Sequence, residues 1–145
     1  MDIGLQITEY LASLPEPKRL EVQALNDLAL SLSPGCKTWF SDGKNDGGKI
    51  VSNPTIGYGG YTIRYADGSS KEFFRIGLSA NKTGISVYIL GLEDKSLLAT
   101  RYGSTIGKAT VTGYCIRFKT VKDINLQVLA DAIRYGFESR TPTPS

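Results

Sequence analysis

At 145 residues and 15.7 kDa the chain fits one domain, large enough to bury a core without a metal or disulfide staple. Its net charge of +3, from seventeen basic and fourteen acidic residues, is too small and too scattered to mark a nucleic-acid binder by bulk electrostatics. There is no histidine, which excludes Ser-His-Asp and Cys-His nucleophile systems and every zinc site that needs imidazole.

In chain order, Ile7, Tyr10, Leu11 and Leu14 recur at helical spacing. Pro15-Glu16-Pro17 stops that helix, because proline disfavours helix in the residue before it. Pro17 then suits the first turn of a second helix, whose stripe is Leu25, Leu28, Ala29 and Leu32 and whose end is Ser33-Pro34-Gly35. Residues 36–40 read as a short strand, and Ser41 to Lys49 as a polar, glycine-rich loop. Thr55 to Ala66 and Lys71 to Ala80 read as strands joined by Asp67-Gly68, which supports the positive φ of a tight turn. Asn81 to Gly84 turns into a third strand, Ile85 to Leu90, which completes an antiparallel meander.

Glu93 to Tyr102 suggests a short helix and Tyr114 to Lys119 a further strand. Asp123 or Asn125 can cap a last helix carrying Leu126, Leu129, Ala130, Ile133 and Phe137 at the right period. Residues 1–140 therefore read as one α+β domain in two layers, a mainly antiparallel sheet with the N-terminal helix pair and C-terminal helix on one face. Residues 141–145 read as a disordered tail.

Cys36 and Cys115 match no zinc or redox spacing and read as thiols in a reducing compartment, although a disulfide between them is open. Met1 to Pro15 shows no basic and then apolar leader pattern, and no run of apolar residues is long enough to cross a bilayer. The expectation is a cytoplasmic protein with no cofactor and no membrane partner. A homodimer is compatible with the sequence.

Several motifs come close to a function and stop short. Gly43-x-x-x-x-Gly48-Lys49 spells most of a phosphate-binding loop, but Ile50 replaces the required Ser or Thr and Pro54 prevents a following helix. Begun at Asp42, the same loop imitates a calcium loop, with Lys44 at a ligand position and Asn53 where the closing glutamate belongs. Gly57-x-Gly59-Gly60 lies inside a strand pattern, where a bulge or a close backbone approach explains it better than dinucleotide binding.

Strand alternation carries the most specific expectation. It places Ile63, Tyr65, Ile76, Leu78, Ile85, Val87, Ile89, Ile116 and Phe118 inward. Arg64, Phe73, Arg75, Ser86, Tyr88, Cys115 and Arg117 then share the other face. Arginine suits bidentate carboxylate or phosphate capture, and aromatic faces stack planar ligands. The competing reading is a solvated face on which arginine stems cover apolar surface. A slip at Gly59-Gly60 would turn Arg64 inward. Arg101 and Lys108 form a second candidate anion site, against the reading of a basic loop.

The order of motifs resembles the YdhG-like family of domains of unknown function. The resemblance rests on Tyr10-Leu11-Ala12-Ser13-Leu14-Pro15, on a helix ending at Ser33-Pro34-Gly35, and on Asn81-Lys82-Thr83-Gly84-Ile85-Ser86-Val87-Tyr88-Ile89. It continues through Tyr102-Gly103 to Gly107-Lys108, Cys115-Ile116-Arg117-Phe118, Val121-x-Asp123 and Leu126-x-x-Leu129. It breaks where Trp39 is followed by Phe40-Ser41-Asp42-Gly43 instead of a Gly-Met-Pro-like stretch, and where Thr112-Gly113-Tyr114 replaces a Gly-Lys pair. The resemblance implies a fold like that of secretion chaperones and, for at least one relative, a frataxin-like role in iron delivery. The residues favour a non-enzymatic binding or adaptor domain for an anionic small ligand or a protein partner. Iron delivery is the alternative, since Glu9, Glu16, Glu21 and Asp27 are dispersed along two helices. Single-stranded nucleic acid ranks last on the low net charge.

Overall fold

The computed structural model describes residues 2–50, 53–81, 83–90, 92 and 94–138, excluding the side chains of Tyr61, Ile63 and Arg64. The expected tail at 141–145 lies outside the described residues.

Two helices open the chain, α1 (Ile3–Ser13) and α2 (Lys18–Leu32). Asp2 caps α1, its carboxylate accepting from the Gly4 N–H at 2.9 Å. The α1 stripe buries Ile7, Tyr10 and Leu11, and α2 buries Val22, Leu25 and Ala29. Strands β1 (Thr38–Ser41), β2 (Thr55–Tyr58), β3 (Tyr61–Arg64), β4 (Ser70–Phe73), β5 (Ile76–Ala80) and β6 (Ile85–Ile89) follow. Then come α3 (Leu97–Tyr102), β7 (Thr110–Val111), β8 (Cys115–Phe118), a single turn at Val121–Asp123 and α4 (Leu126–Glu138). Asn125 starts α4, its side-chain oxygen accepting from the N–H groups of Gln127 at 3.0 Å and Val128 at 3.3 Å.

The main sheet has six antiparallel strands in the order β1-β2-β5-β6-β8-β7, and β3-β4 form a separate two-stranded ribbon. The fold is α+β with helices packed on the sheet. One face is the core side. Ile56, Leu78, Val87 and Ile116 stand in register across it, as do Tyr58, Ile76 and Ile89, and all are buried. Each fully buried aliphatic side chain of this set contributes roughly 1.5–3 kcal/mol. Helices α1, α2 and α4 cover this face, and α4 comes so close that a Cβ on Gly136 would lie 2.7 Å from Ile76 and 2.8 Å from Ile89.

The long meander strands of the sequence reading are each broken. Thr55 to Ala66 divides at Gly59-Gly60, where Gly59 has φ 71° and its carbonyl accepts from the Trp39 indole N–H at 2.6 Å. Lys71 to Ala80 divides at Phe74-Arg75. The Arg75 N–H donates to the Tyr58 carbonyl at 3.2 Å while Ile76 pairs with the same Tyr58. Two residues of one strand thus oppose one of its neighbour, which is the count of a β-bulge. The outer halves peel away as the ribbon, so Tyr65, expected inside, is 48% exposed. Ile76, Leu78, Ile85, Val87, Ile89, Ile116 and Phe118 lie in the core as alternation requires, while the side chain of Ile63 is outside the described set.

Two buried tyrosines tie the helices to the sheet. The Tyr10 hydroxyl accepts from the Ala80 N–H at 3.1 Å, and the Tyr58 hydroxyl lies 2.5 Å from the side-chain oxygen of Asn26 on α2. Burial pushes the Tyr58 phenol far above the ordinary tyrosine range, aided by the negative charges that Cys36 and Asp27 would carry. A phenol raised on folding leaves stability intact below the unfolded value of about 10, and stability falls as pH rises above it. Urea titrations should therefore show stability flat toward neutral pH and falling by up to ~1.4 kcal/mol per pH unit for this group above about pH 10. Tyr58→Phe should reduce that slope while lowering stability at neutral pH by about 1 kcal/mol through loss of the Asn26 hydrogen bond.

Candidate functional site

The second face of the sheet is built on two glycines. Gly57 and Gly77 pair across β2 and β5, and the Phe74 ring lies on both. A Cβ on Gly57 would stand 2.6 Å from the Phe74 Cβ, and one on Gly77 2.7 Å from its ring, 3.2 Å from Tyr88 and 3.3 Å from Thr55. Those contacts fix Phe74, Tyr88 and Thr55 on one side. Trp39 pairs with Gly57 and Tyr88 with Cys115, so an aromatic row crosses the face from Trp39 through Phe74 to Tyr88. Tyr88 runs on to Tyr114, whose ring is parallel within 11° at a centroid distance of 6.3 Å. Phe73 packs beside Phe74 at 4.4 Å.

The adjoining row is polar. Ser79, Ser86, Arg117 and Thr110 stand opposite one another on β5, β6, β8 and β7. Burial pushes the Cys115 thiol above its usual range, while the Arg117 guanidinium and the Ser86 hydroxyl beside it pull the other way. Beyond Arg117 the face opens into a cleft of about 450 Å³ lined by Thr83, Lys108, Thr110, Arg117 and Lys119. Lys108, Arg117 and Lys119 are exposed, and among the described residues none of the three is in an ion pair. Lys37 differs, since it sits over the Trp39 ring at 4.1 Å and pairs with Glu72 at 3.5 Å.

The residues singled out from sequence are redistributed by this geometry. Tyr88 and Arg117 lie on the second face as alternation requires, and Phe73 adjoins it through Phe74. Arg75 does not. The bulge turns it to the end of α4, where it is 7% exposed and donates to the Gly136 carbonyl at 3.1 Å. It caps the last turn of the helix. The side chain of Arg64 lies outside the described set, and of the other two arginines expected there the structure places Arg117 on this face. Arg101 and Lys108 are also separated. Arg101 lies over the rings of Tyr135 at 4.9 Å and Tyr102 at 5.8 Å, between α3 and α4, whereas Lys108 joins Arg117.

Lys119, Thr83 and Thr110 were absent from the sequence expectation. Lys119 keeps the two-residue spacing of Arg117 and could have been found by extending the alternation. Thr110 could not, because β7 has two residues and no readable pattern. The glycine-rich loop forms a tight hairpin with a Lys44–Ile50 bridge. Its amides are spent internally, since the Asn45 side-chain oxygen accepts from Gly47 and Lys49 at 3.0 Å and the Asn45 carbonyl from Gly48 at 2.9 Å. No phosphate cradle is left there. Among the described residues no three of His, Cys, Asp and Glu are grouped to hold a metal, and no helix is long and apolar enough to cross a membrane.

The fold and face define an α+β domain with helices on one side of an antiparallel sheet and an aromatic-basic surface on the other. No family model, curated protein or solved structure compared with the chain matches it.

The Phe74 seat yields a direct test. Gly57→Ala should destabilise the fold by about 1–3 kcal/mol, because the contact is with the Phe74 Cβ and cannot be relieved by a ring rotation. Pairing it with Phe74→Gly, which removes the Cβ in contact, should cost less than the sum of the two single changes, as measured by denaturation.

Proposed function

We propose that this chain is a non-enzymatic binding domain that takes an anionic ligand at the Lys108–Arg117–Lys119 corner of its second sheet face. The observation that carries the reading is the convergence on one open cleft of three cations that form no ion pair among the described residues, plus the hydroxyls of Thr83 and Thr110. A guanidinium and two ammonium groups so placed offer both bidentate and point-charge contacts to phosphate or carboxylate. The free thiols of Cys36 and Cys115 support a reducing compartment such as the cytoplasm.

The groups with perturbed acidity support binding over catalysis. Tyr10, Tyr58, Tyr102 and Cys115 are raised by burial. Asp67 and Asp94 are lowered by hydrogen bonds from Ser69 and Ser96 in surface turns. None of these lines the basic cleft. The iron-delivery reading implied by the family resemblance has no carboxylate cluster among the described residues to carry it.

Pyrophosphate titrated into isotope-labelled protein should shift the amide resonances of Thr83, Lys108, Thr110, Arg117 and Lys119. Arg117→Ala should weaken the interaction by roughly 10- to 100-fold, the worth of a charge-assisted contact. Arg75→Met should lower the melting temperature and leave the pyrophosphate affinity unchanged. Equal affinity for wild-type and Arg117→Ala protein would reject the site.

A further inference from the structure

The basic corner and the aromatic row are parts of one surface. Along β8 the second face carries Cys115 and then Arg117, two residues and so roughly 7 Å apart, and Lys119 follows one residue past the strand's end. Tyr114 precedes them and stacks on Tyr88, and Cys115, two residues before Arg117, stands directly across from Tyr88. Cations therefore stand near a ring pair of which Tyr88 is half-buried and Tyr114 exposed. Tyr114 itself is 58% exposed, which is more than packing against Tyr88 requires.

Resting on the reading of this face as the binding surface, we propose that its occupant is single-stranded nucleic acid. Successive phosphates would lie along Arg117, Lys119 and Lys108, and a base would stack on the Tyr88–Tyr114 pair. Each half of the surface answers one half of that ligand. Cations spaced along a strand track a phosphate backbone, and aromatic rings on an open sheet face receive unstacked bases of any sequence. An acidic peptide would satisfy the cations and leave the rings idle. A small anion would fill the corner alone.

The low net charge does not oppose this placement. Helices α1, α2 and α4, the layer behind the sheet, carry Glu9, Glu21, Asp27, Asp131 and Glu138 against Lys18, Arg19 and Arg134. The +3 is therefore a whole-chain sum that includes a mildly acidic helix layer, and the field met by a strand is that of the side it approaches.

The experiment is a fluorescence-anisotropy titration of the full chain with a short labelled oligothymidylate across a salt series. Duplex DNA, polyphosphate and polyglutamate serve as competitors. The proposal expects binding in the range of roughly 1–100 µM at low salt, stronger for the single strand than for any competitor. Tyr114→Ala should weaken binding roughly 5- to 100-fold with the salt slope unchanged, because a stacking contact releases no counterion. Tyr114→Phe should restore it. Lys119→Ala should reduce the salt slope by about 0.7. Circular dichroism confirms that each variant is folded.

Equal competition by polyphosphate with Tyr114→Ala silent would overturn the proposal in favour of plain polyanion attraction. Preferential displacement by polyglutamate would overturn it in favour of an acidic protein partner. No strand binding, with pyrophosphate still shifting Arg117, overturns the nucleic-acid occupant alone. Loss of both responses removes the anion site as well.

Discussion

The contact on which both layers depend is the Phe74 ring laid across Gly57 and Gly77. With no side chains beneath it, the ring sits against backbone, and the two hydrogens of each glycine Cα are what allow the approach. Seating Phe74 on the second face forces a break before Ile76, and the bulge that absorbs the break turns Arg75 to the end of α4. One dipeptide therefore fixes an aromatic on the outer side of the sheet and a helix cap on the inner side. The β3-β4 ribbon leaves the sheet at the same place.

Much of the fold was legible in the residues because it follows from periodicities. The stripe of α2, that of α4 from Leu129 onward, the alternation of Ile85, Val87 and Ile89, and the Asn125 cap all express local rules that tertiary contacts did not override, whereas Leu126, expected on the α4 stripe, is 43% exposed. What failed did so at interruptions. Gly59-Gly60 was readable as a hazard but not as the end of a strand. Nothing in Phe74-Arg75 announces a bulge, since both residues suit strands and the glycines that require it lie in other positions. One extra residue was enough to move Arg75 from a binding surface into the core margin.

The site was half legible for the same reason. Tyr88 and Arg117 lie on strands without a bulge, so alternation placed them correctly. Arg101 and Lys108 are seven residues apart in sequence, and proximity in the chain suggested a shared site. Instead α3 holds Arg101 against two tyrosine rings, and the segment after it carries Lys108 across to β8. The faces also divide the chemistry. Apolar burial and the tethers of Tyr10 and Tyr58 occupy the helix side, while the outer side carries Phe74 and the buried Ser79, Ser86 and Cys115.

The absence of histidine gives the cationic corner a further property. Histidine is the one side chain whose ordinary pKa lies in the neutral range, and burial pushes the Cys115 thiol further above that range. No imidazole is therefore available to make this surface a pH switch, and the ionisation of what it holds is the more direct source of pH sensitivity. A terminal phosphate, whose second proton leaves near pH 6, would be held more firmly as it ionises, whereas a phosphodiester or carboxylate would be held alike throughout. The surface thus follows the charge state of its guest with no imidazole of its own.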